Sequence, residues 1–176
     1  GLAKFVANVT NPGNPPEAGD ILRYTLTFKA AGGAPGDNFS DAHDLRIDDS
    51  LSLGLVYSGN PTVDGAGNTI GAPVVNGDGV TVAQTLLWSL EDGNSDIDIT
   101  EGTVVNITYE VRVDDGVLIN QSLSNSATAQ WTSMNGPSVY ERNGTATPAY
   151  NDYFIGPVTT TVVVGDDTTT TKTRLL

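Results

Sequence analysis

Short segments that alternate apolar and polar residues with a period of two, each closed by a cluster of Gly, Asn, Asp or Pro, leave this chain few ways to fold. In ILRYTLTF (21–28), Leu22, Tyr24, Leu26 and Phe28 share one face. In NITYEVRV (106–113), Ile107, Tyr109, Val111 and Val113 stand opposite Asn106, Thr108, Glu110 and Arg112. That period belongs to a strand with one buried face. TVAQTLLWSL (81–90), LSNSATAQW (123–131) and PVTTTVVV (157–164) read as further strands, and no segment presents a clear amphipathic helix. Turn clusters such as NPGNPPEAGD, VDGAGN, VNGDG, EDGNSD and VDDG separate them. The pattern predicts an all-β fold, an immunoglobulin-like β-sandwich of antiparallel sheets. Residues 1–164 are expected to form the sandwich. Residues 165–176 read as a Thr-rich linker in which Lys172 opens a following repeat, as Lys4 opens this one.

The bulk properties narrow the function classes. The chain has no cysteine, so disulfides, thiolate metal sites and cysteine nucleophiles are excluded. Its formal net charge of −13 opposes binding to nucleic acid or to an anionic membrane. No apolar run is long enough to insert into a membrane, and the absence of a secretory leader suits a mature or excised piece.

One strand carries a charge where an apolar residue is expected. In DLRIDDSLSLGLVY (44–57), one face reads Leu45, Ile47, Asp49, Leu51, Leu53 and the other Asp44, Arg46, Asp48, Ser50, Ser52. An unpaired inward carboxylate is very costly. Asn125 falls in line with Ala127, Ala129 and Trp131 in the same way. Lys4 shares its parity with Leu2 and Val6, but Phe5 and Val9 lie on the other parity, so the facing of the first strand stays open.

Taken in order, LAKFV, EAGDILRYTLTF, RIDDSLSLGLVY, GTVVNITYEVRV and LSNSATAQW resemble the surface-repeat domains of large bacterial adhesins and fimbrial subunits, including the isopeptide-forming fimbrial type. In that family a first-strand Lys precedes a Pro-Gly-Asp turn and a Tyr-Thr-Leu-Thr-like strand. A segment of the form Asp-Thr-Leu-Pro-x-Gly-Leu follows, and the unit closes on Asn-Thr-Ala-Thr-Val. The matching positions are Glu17 to Asp20, Asp49 to Leu55 and Asn125 to Ala129, with Ser52 in place of the Pro and Phe5 where a small residue is commoner. The resemblance covers residues 2–131.

The resemblance implies roles for three residues. Lys4 would be the nucleophile, Asn125 the electrophile that loses ammonia, and Asp49 the acid that assists by donating to the Asn oxygen and shuttling protons. The amine must be neutral and the carboxyl protonated, both of which burial favours. Folding must also bring amine and amide within reach. The residues alone leave two other arrangements open: a buried Lys4–Asp49 salt bridge beside a hydrogen-bonded Asn125, or an Asp49 wetted at a frayed strand end. Asp48 is a second acid, on the parity of Arg46 and Ser50.

Other constellations carry less. His43, the sole histidine, reads as a solvated turn residue, with no nucleophile elbow to support a triad. Asp92, Asn94, Asp96 and Asp98 offer oxygen donors suited to calcium, though Ile97 and Thr103 depart from the EF-hand pattern, and no cofactor is required. Together these features point to a structural stalk or spacer module of a bacterial cell-surface adhesin or fibre, extracellular, with neighbouring repeats of the same polypeptide or fibre as partners. It is not a turnover enzyme. One alternative is a module that binds a host protein or glycan through Trp88, Trp131 or the Tyr140, Tyr150 and Tyr153 region. Another is a pilin-like subunit that polymerises by strand exchange.

Overall fold

The computed structural model describes residues 1–30, 41–64, 71–88, 97–135, 140 and 153–166. Among them lie nine strands and no helix: β1 (Leu2–Asn8), β2 (Ile21–Lys29), β3 (His43–Leu51), β4 (Leu55–Asp64), β5 (Val74–Asn76), β6 (Gln84–Trp88), β7 (Val104–Val113), β8 (Ser122–Thr132) and β9 (Phe154–Val163). One sheet has the order β1-β2-β7-β4 and the other β5-β6-β3-β8-β9. Every pairing is antiparallel. The all-β sandwich expected from the alternation is the fold observed.

The alternation fixes which residues meet between the sheets. Leu22, Tyr24, Leu26 and Phe28 of β2 are buried, as are Ile107, Tyr109, Val111 and Val113 of β7. Their polar neighbours face out. Arg23 lies opposite Glu110 in register and its Nη2 donates to Glu110 Oε1 at 2.6 Å on the outer face. The second sheet contributes Leu45, Ile47 and Leu51 from β3, Leu86 and Trp88 from β6, and Ala127 and Ala129 from β8.

Three details differ from the sequence expectation. Within 81–90, strand pairing begins only at Gln84. Asp78 Oδ1 accepts from the backbone N–H groups of Val80, Thr81 and Val82 at 2.9, 2.7 and 2.8 Å, which curls this stretch into a turn and leaves Val80 and Val82 exposed. Leu53 is 45% exposed because β3 ends at Leu51. The chain then turns through Gly54, whose φ is +92° and where a Cβ would lie 2.8 Å from Val117 Cγ1. The strand β4, absent from the strands named above, carries Gly59, Asn60 and Pro61, residue types that break the alternating pattern. It tolerates them as an edge strand with register shifts at Gly59 and again before Thr62. Of the expected linker, residues 167–176, Lys172 included, lie outside the described residues.

Ile107 is fully buried and sits between Leu26 and Val63 in register. Ile107→Ala is expected to lower the unfolding free energy by about 2–5 kcal/mol, read as a lower urea midpoint at unchanged slope. Arg23→Ala, on the wet face, should cost less than ~1 kcal/mol in the same titration.

Candidate functional site

The buried face is apolar except at a few places, and three of them converge. Lys4 on β1, Asp49 on β3 and Asn125 on β8 are all buried. Asp49 lies opposite Ala127 of β8, and Asn125 opposite Leu51 of β3, so the acid and the amide are diagonal neighbours on adjacent strands of one sheet. Lys4 comes from the other sheet, on an edge strand paired with β2 through Leu26. Its facing, open in the sequence, is settled by position: Phe5 is 62% exposed and Lys4 points inward.

The Lys4 ammonium spans the two sheets. Nζ donates to Asp49 Oδ1 in a short ion pair with both side chains fully buried, and to Asn125 Oδ1 at 2.7 Å. Asp49 is therefore neither wet nor at a frayed end. Asp48, the second acid, faces outward and holds Arg46, with Nη2–Oδ1 and Nε–Oδ2 distances of 2.8 and 2.9 Å.

Sequence reasoning missed a fourth member. Tyr109 of β7 donates its hydroxyl to Asp49 Oδ2, accepts from Asn125 Nδ2 at 2.7 Å and accepts from Lys4 Nζ at 3.3 Å. That fills its one donor and two acceptor positions. Tyr109 was legible as a core residue by its parity with Ile107 and Val111. Its polar tip on that face was the only signal that it also belonged to a polar cluster. Lys4 holds the Asn125 oxygen, and Asp49 is linked to the amide through Lys4 on one side and through Tyr109 on the other.

An aromatic wall keeps the cluster dry. Tyr24 stacks on Tyr109 with centroids 5.6 Å apart and planes 14° from parallel, and Trp88 lies 5.1 Å from the same ring. Lys4 Nζ sits 5.4 Å from the Tyr24 centroid. Trp88 is thus core, while Trp131 is partly buried and meets Phe28 edge-on at 5.4 Å. A groove of about 590 Å³ lined by Val6, Ala7, the Pro12–Pro16 segment and Val162 includes none of the four cluster residues.

Burial sets the electrostatics. Desolvation lowers Lys4 to about 8, against the opposing charge and hydrogen bond of Asp49. Desolvation likewise raises Asp49, against the charge and hydrogen bond of Lys4 and the hydrogen bond from Tyr109. The two values move towards each other, so transferring the proton from amine to carboxyl costs less here than in water. Burial, reinforced by the Asp49 charge, holds the Tyr109 phenol well above its usual value.

The remaining candidates lie apart. His43 begins β3, and its Nδ1 lies 3.2 Å from Asp98 Oδ1, so it is partnered where a solvated turn residue was expected. Asp98 also accepts from the Asp44 backbone N–H at 3.3 Å and from Asn135 Nδ2. Asp92, Asn94 and Asp96 lie outside the described residues. Tyr140 is 85% exposed, Tyr153 packs edge-on against Trp131 at 5.9 Å, and Tyr150 is outside the described residues.

No known protein-family model and no curated protein matches this sequence. Solved structures do resemble it. Domains D2 and D3 of the major pilin SpaD from Corynebacterium diphtheriae superpose with a TM-score of 0.50 at 19% identity, over 76% of this chain and 46% of that one. The T6 backbone pilin of Streptococcus pyogenes serotype M6 gives 0.48 at 16% identity, over 93% of this chain and 35% of that one. AvmM, which catalyses macrocyclization in alchivemycin A biosynthesis, gives 0.49 at 9% identity, over 94% and 89%. The chain spans less than half the length of either pilin chain. The likeness is one of fold, a sandwich like those of pilin domains.

The shifted values predict a pH profile. In Asn125→Ala, amine and carboxyl both remain titratable. Asp49 binds its proton more tightly folded than unfolded, so stability should fall as pH rises from 3.8 through its raised folded value. Lys4 holds its proton less tightly when folded, so stability should rise between about 8 and 10.5. Urea midpoints across pH, compared with the triple variant Lys4→Met, Asp49→Leu, Asn125→Ala, check both windows; identical profiles would contradict the assignment.

Proposed function

We propose that this domain is a load-bearing module of a bacterial surface fibre or adhesin stalk that staples itself through an amide between Lys4 Nζ and Asn125 Cγ. The observation that carries the reading is the buried contact of Lys4 Nζ with the Asn125 carboxamide at 2.7 Å, beside a carboxyl pushed towards its protonated form. Three polar side chains from three strands meet in an otherwise apolar interior, in the order the sequence resemblance assigns. The chemistry is amide exchange: the neutral amine attacks the carboxamide carbon, ammonia leaves, and a buried ammonium–carboxylate pair gives way to a neutral amide beside a protonated carboxyl.

The position of the bond suits a mechanical role. It would join the first strand of one sheet to the penultimate strand of the other, across 121 residues of chain. A tie of that span limits how far the chain extends under tension and, unlike a disulfide, resists reduction. A chain without cysteine gains from this what a secreted domain usually takes from disulfides. The reaction occurs once per molecule, because its product is a bond within the chain itself, so the module does not turn over. Neighbouring domains or subunits of the same fibre are the partners such a module requires.

Intact-mass spectrometry of the purified chain should show a loss of one ammonia relative to the sequence mass. Lys4→Ala and Asn125→Ala should each restore the full mass. Relative to Asn125→Ala, the stapled chain should be more stable by about 4–5 kcal/mol from restriction of the unfolded state. A well-folded wild-type chain of full mass would leave a buried ion pair and no staple.

A further inference from the structure

We propose that the Tyr109 hydroxyl is the acid that protonates the departing nitrogen of Asn125, with Asp49 carrying protons between Lys4 and Tyr109. The inference rests on the self-stapling reading and adds to it a route for the protons. Amide exchange must remove a proton from the attacking nitrogen and deliver one to the leaving nitrogen. Asp49 touches the first but makes no hydrogen bond to the second. Its two oxygens face different partners: Oδ1 meets Lys4 Nζ, and Oδ2 meets the Tyr109 hydroxyl. That hydroxyl is in turn 2.7 Å from Asn125 Nδ2. The four groups form a closed ring through Lys4 Nζ, both carboxyl oxygens, the phenol oxygen and the carboxamide.

The ring balances the reaction. The ammonium of Lys4 first passes a proton to Asp49 Oδ1, leaving a neutral amine, and a half-turn of the now neutral carboxyl about Cβ–Cγ brings the protonated oxygen to Tyr109 and the bare oxygen to Nζ. The Nζ lone pair then forms the bond to Asn125 Cγ. As that bond forms, Nζ gives a proton to the bare carboxyl oxygen, the other carboxyl oxygen gives its proton to the Tyr109 oxygen, and Tyr109 gives its own to Nδ2. The Cγ–Nδ2 bond breaks and its electron pair leaves with ammonia. Lys4 and Asn125 end as a secondary amide, Tyr109 ends as it began, and Asp49, a carboxylate at the start, keeps the proton that the ammonium gave up. At rest the hydroxyl points at Asp49; once the carboxyl carries the proton, the same hydroxyl is free to turn towards Nδ2. Four backbone elements hold these atoms in a rigid core, so no loop has to close before the transfer.

Tyr109→Phe keeps the ring that packs on Tyr24 and Trp88 and deletes only the hydroxyl. Chains recovered unfolded from inclusion bodies in urea are refolded, and the loss of ammonia is timed by intact mass. Wild type should convert, and Tyr109→Phe should fold and convert about 100-fold more slowly. As a second arm, 3,5-difluorotyrosine placed at 109 keeps a hydroxyl but makes it more acidic. It should change the rate and move its pH dependence to lower pH, which a packing role would not do. The titratable groups facing Tyr109 are Lys4 from β1, Tyr24 from β2, Asp49 from β3 and Tyr57 from β4. They are the same in both chains, so the difference isolates the phenol. Conversion of Tyr109→Phe at the wild-type rate overturns the relay and leaves the staple standing. If that variant does not fold, an unchanged profile in the fluorinated chain overturns it. A wild-type chain that never loses ammonia overturns both.

Discussion

The contact of Lys4 with Asp49 across the interior governs how the two sheets can sit. Removing an ammonium and a carboxylate from water costs several kcal/mol each, and attraction between them offsets this only if the geometry is good and the remaining hydrogen-bonding positions are filled. Here all three ammonium donors and both carboxylate oxygens have partners. Lys4 donates to Asp49, Asn125 and Tyr109, and Asp49 accepts from Lys4 and Tyr109. A shift of β1 against β3 that breaks the pair would strand a charge in an apolar core. The pair therefore penalises misalignment of the sheets in addition to the hydrophobic contacts that would be lost.

The same constraint links stability to chemistry. The burial that makes the ion pair expensive also brings the proton affinities of amine and carboxyl together. A neutral amine beside a protonated carboxyl is the state that acyl exchange with Asn125 needs. On the proposed reading the folded domain begins with a buried ion pair and replaces it with a neutral amide beside a protonated carboxyl. The aromatic wall of Tyr24, Tyr109 and Trp88 serves both ends, since it excludes water from the charges and holds the Tyr109 hydroxyl between acid and amide.

Much of this was legible in the chain. The alternation in 21–28 and 106–113 fixed which side chains enter the core, and Asp49 and Asn125 stood out because they broke it. Other parts were not legible for identifiable reasons. The edge strand β4 showed no alternation across Gly59, Asn60 and Pro61, because an edge strand tolerates register shifts that break the period of two. Leu53 followed the inward parity but left the core, since parity says nothing about where a strand stops. Tyr109 gave no separate signal, because a tyrosine on a buried face fits packing as well as it fits a hydrogen-bonded cluster.

The sequence by itself determined the strands, their inward faces and the presence of unusual polar residues on those faces, because a period of two is a local property of the backbone. Only the tertiary structure decided that Lys4 faces inward, that it reaches Asp49 and Asn125 on the opposite sheet, and that Tyr109 stands between acid and amide. Those facts depend on how two sheets stack and on which strands lie side by side. Contacts across 45 and 121 residues of chain follow from that stacking and not from any local pattern.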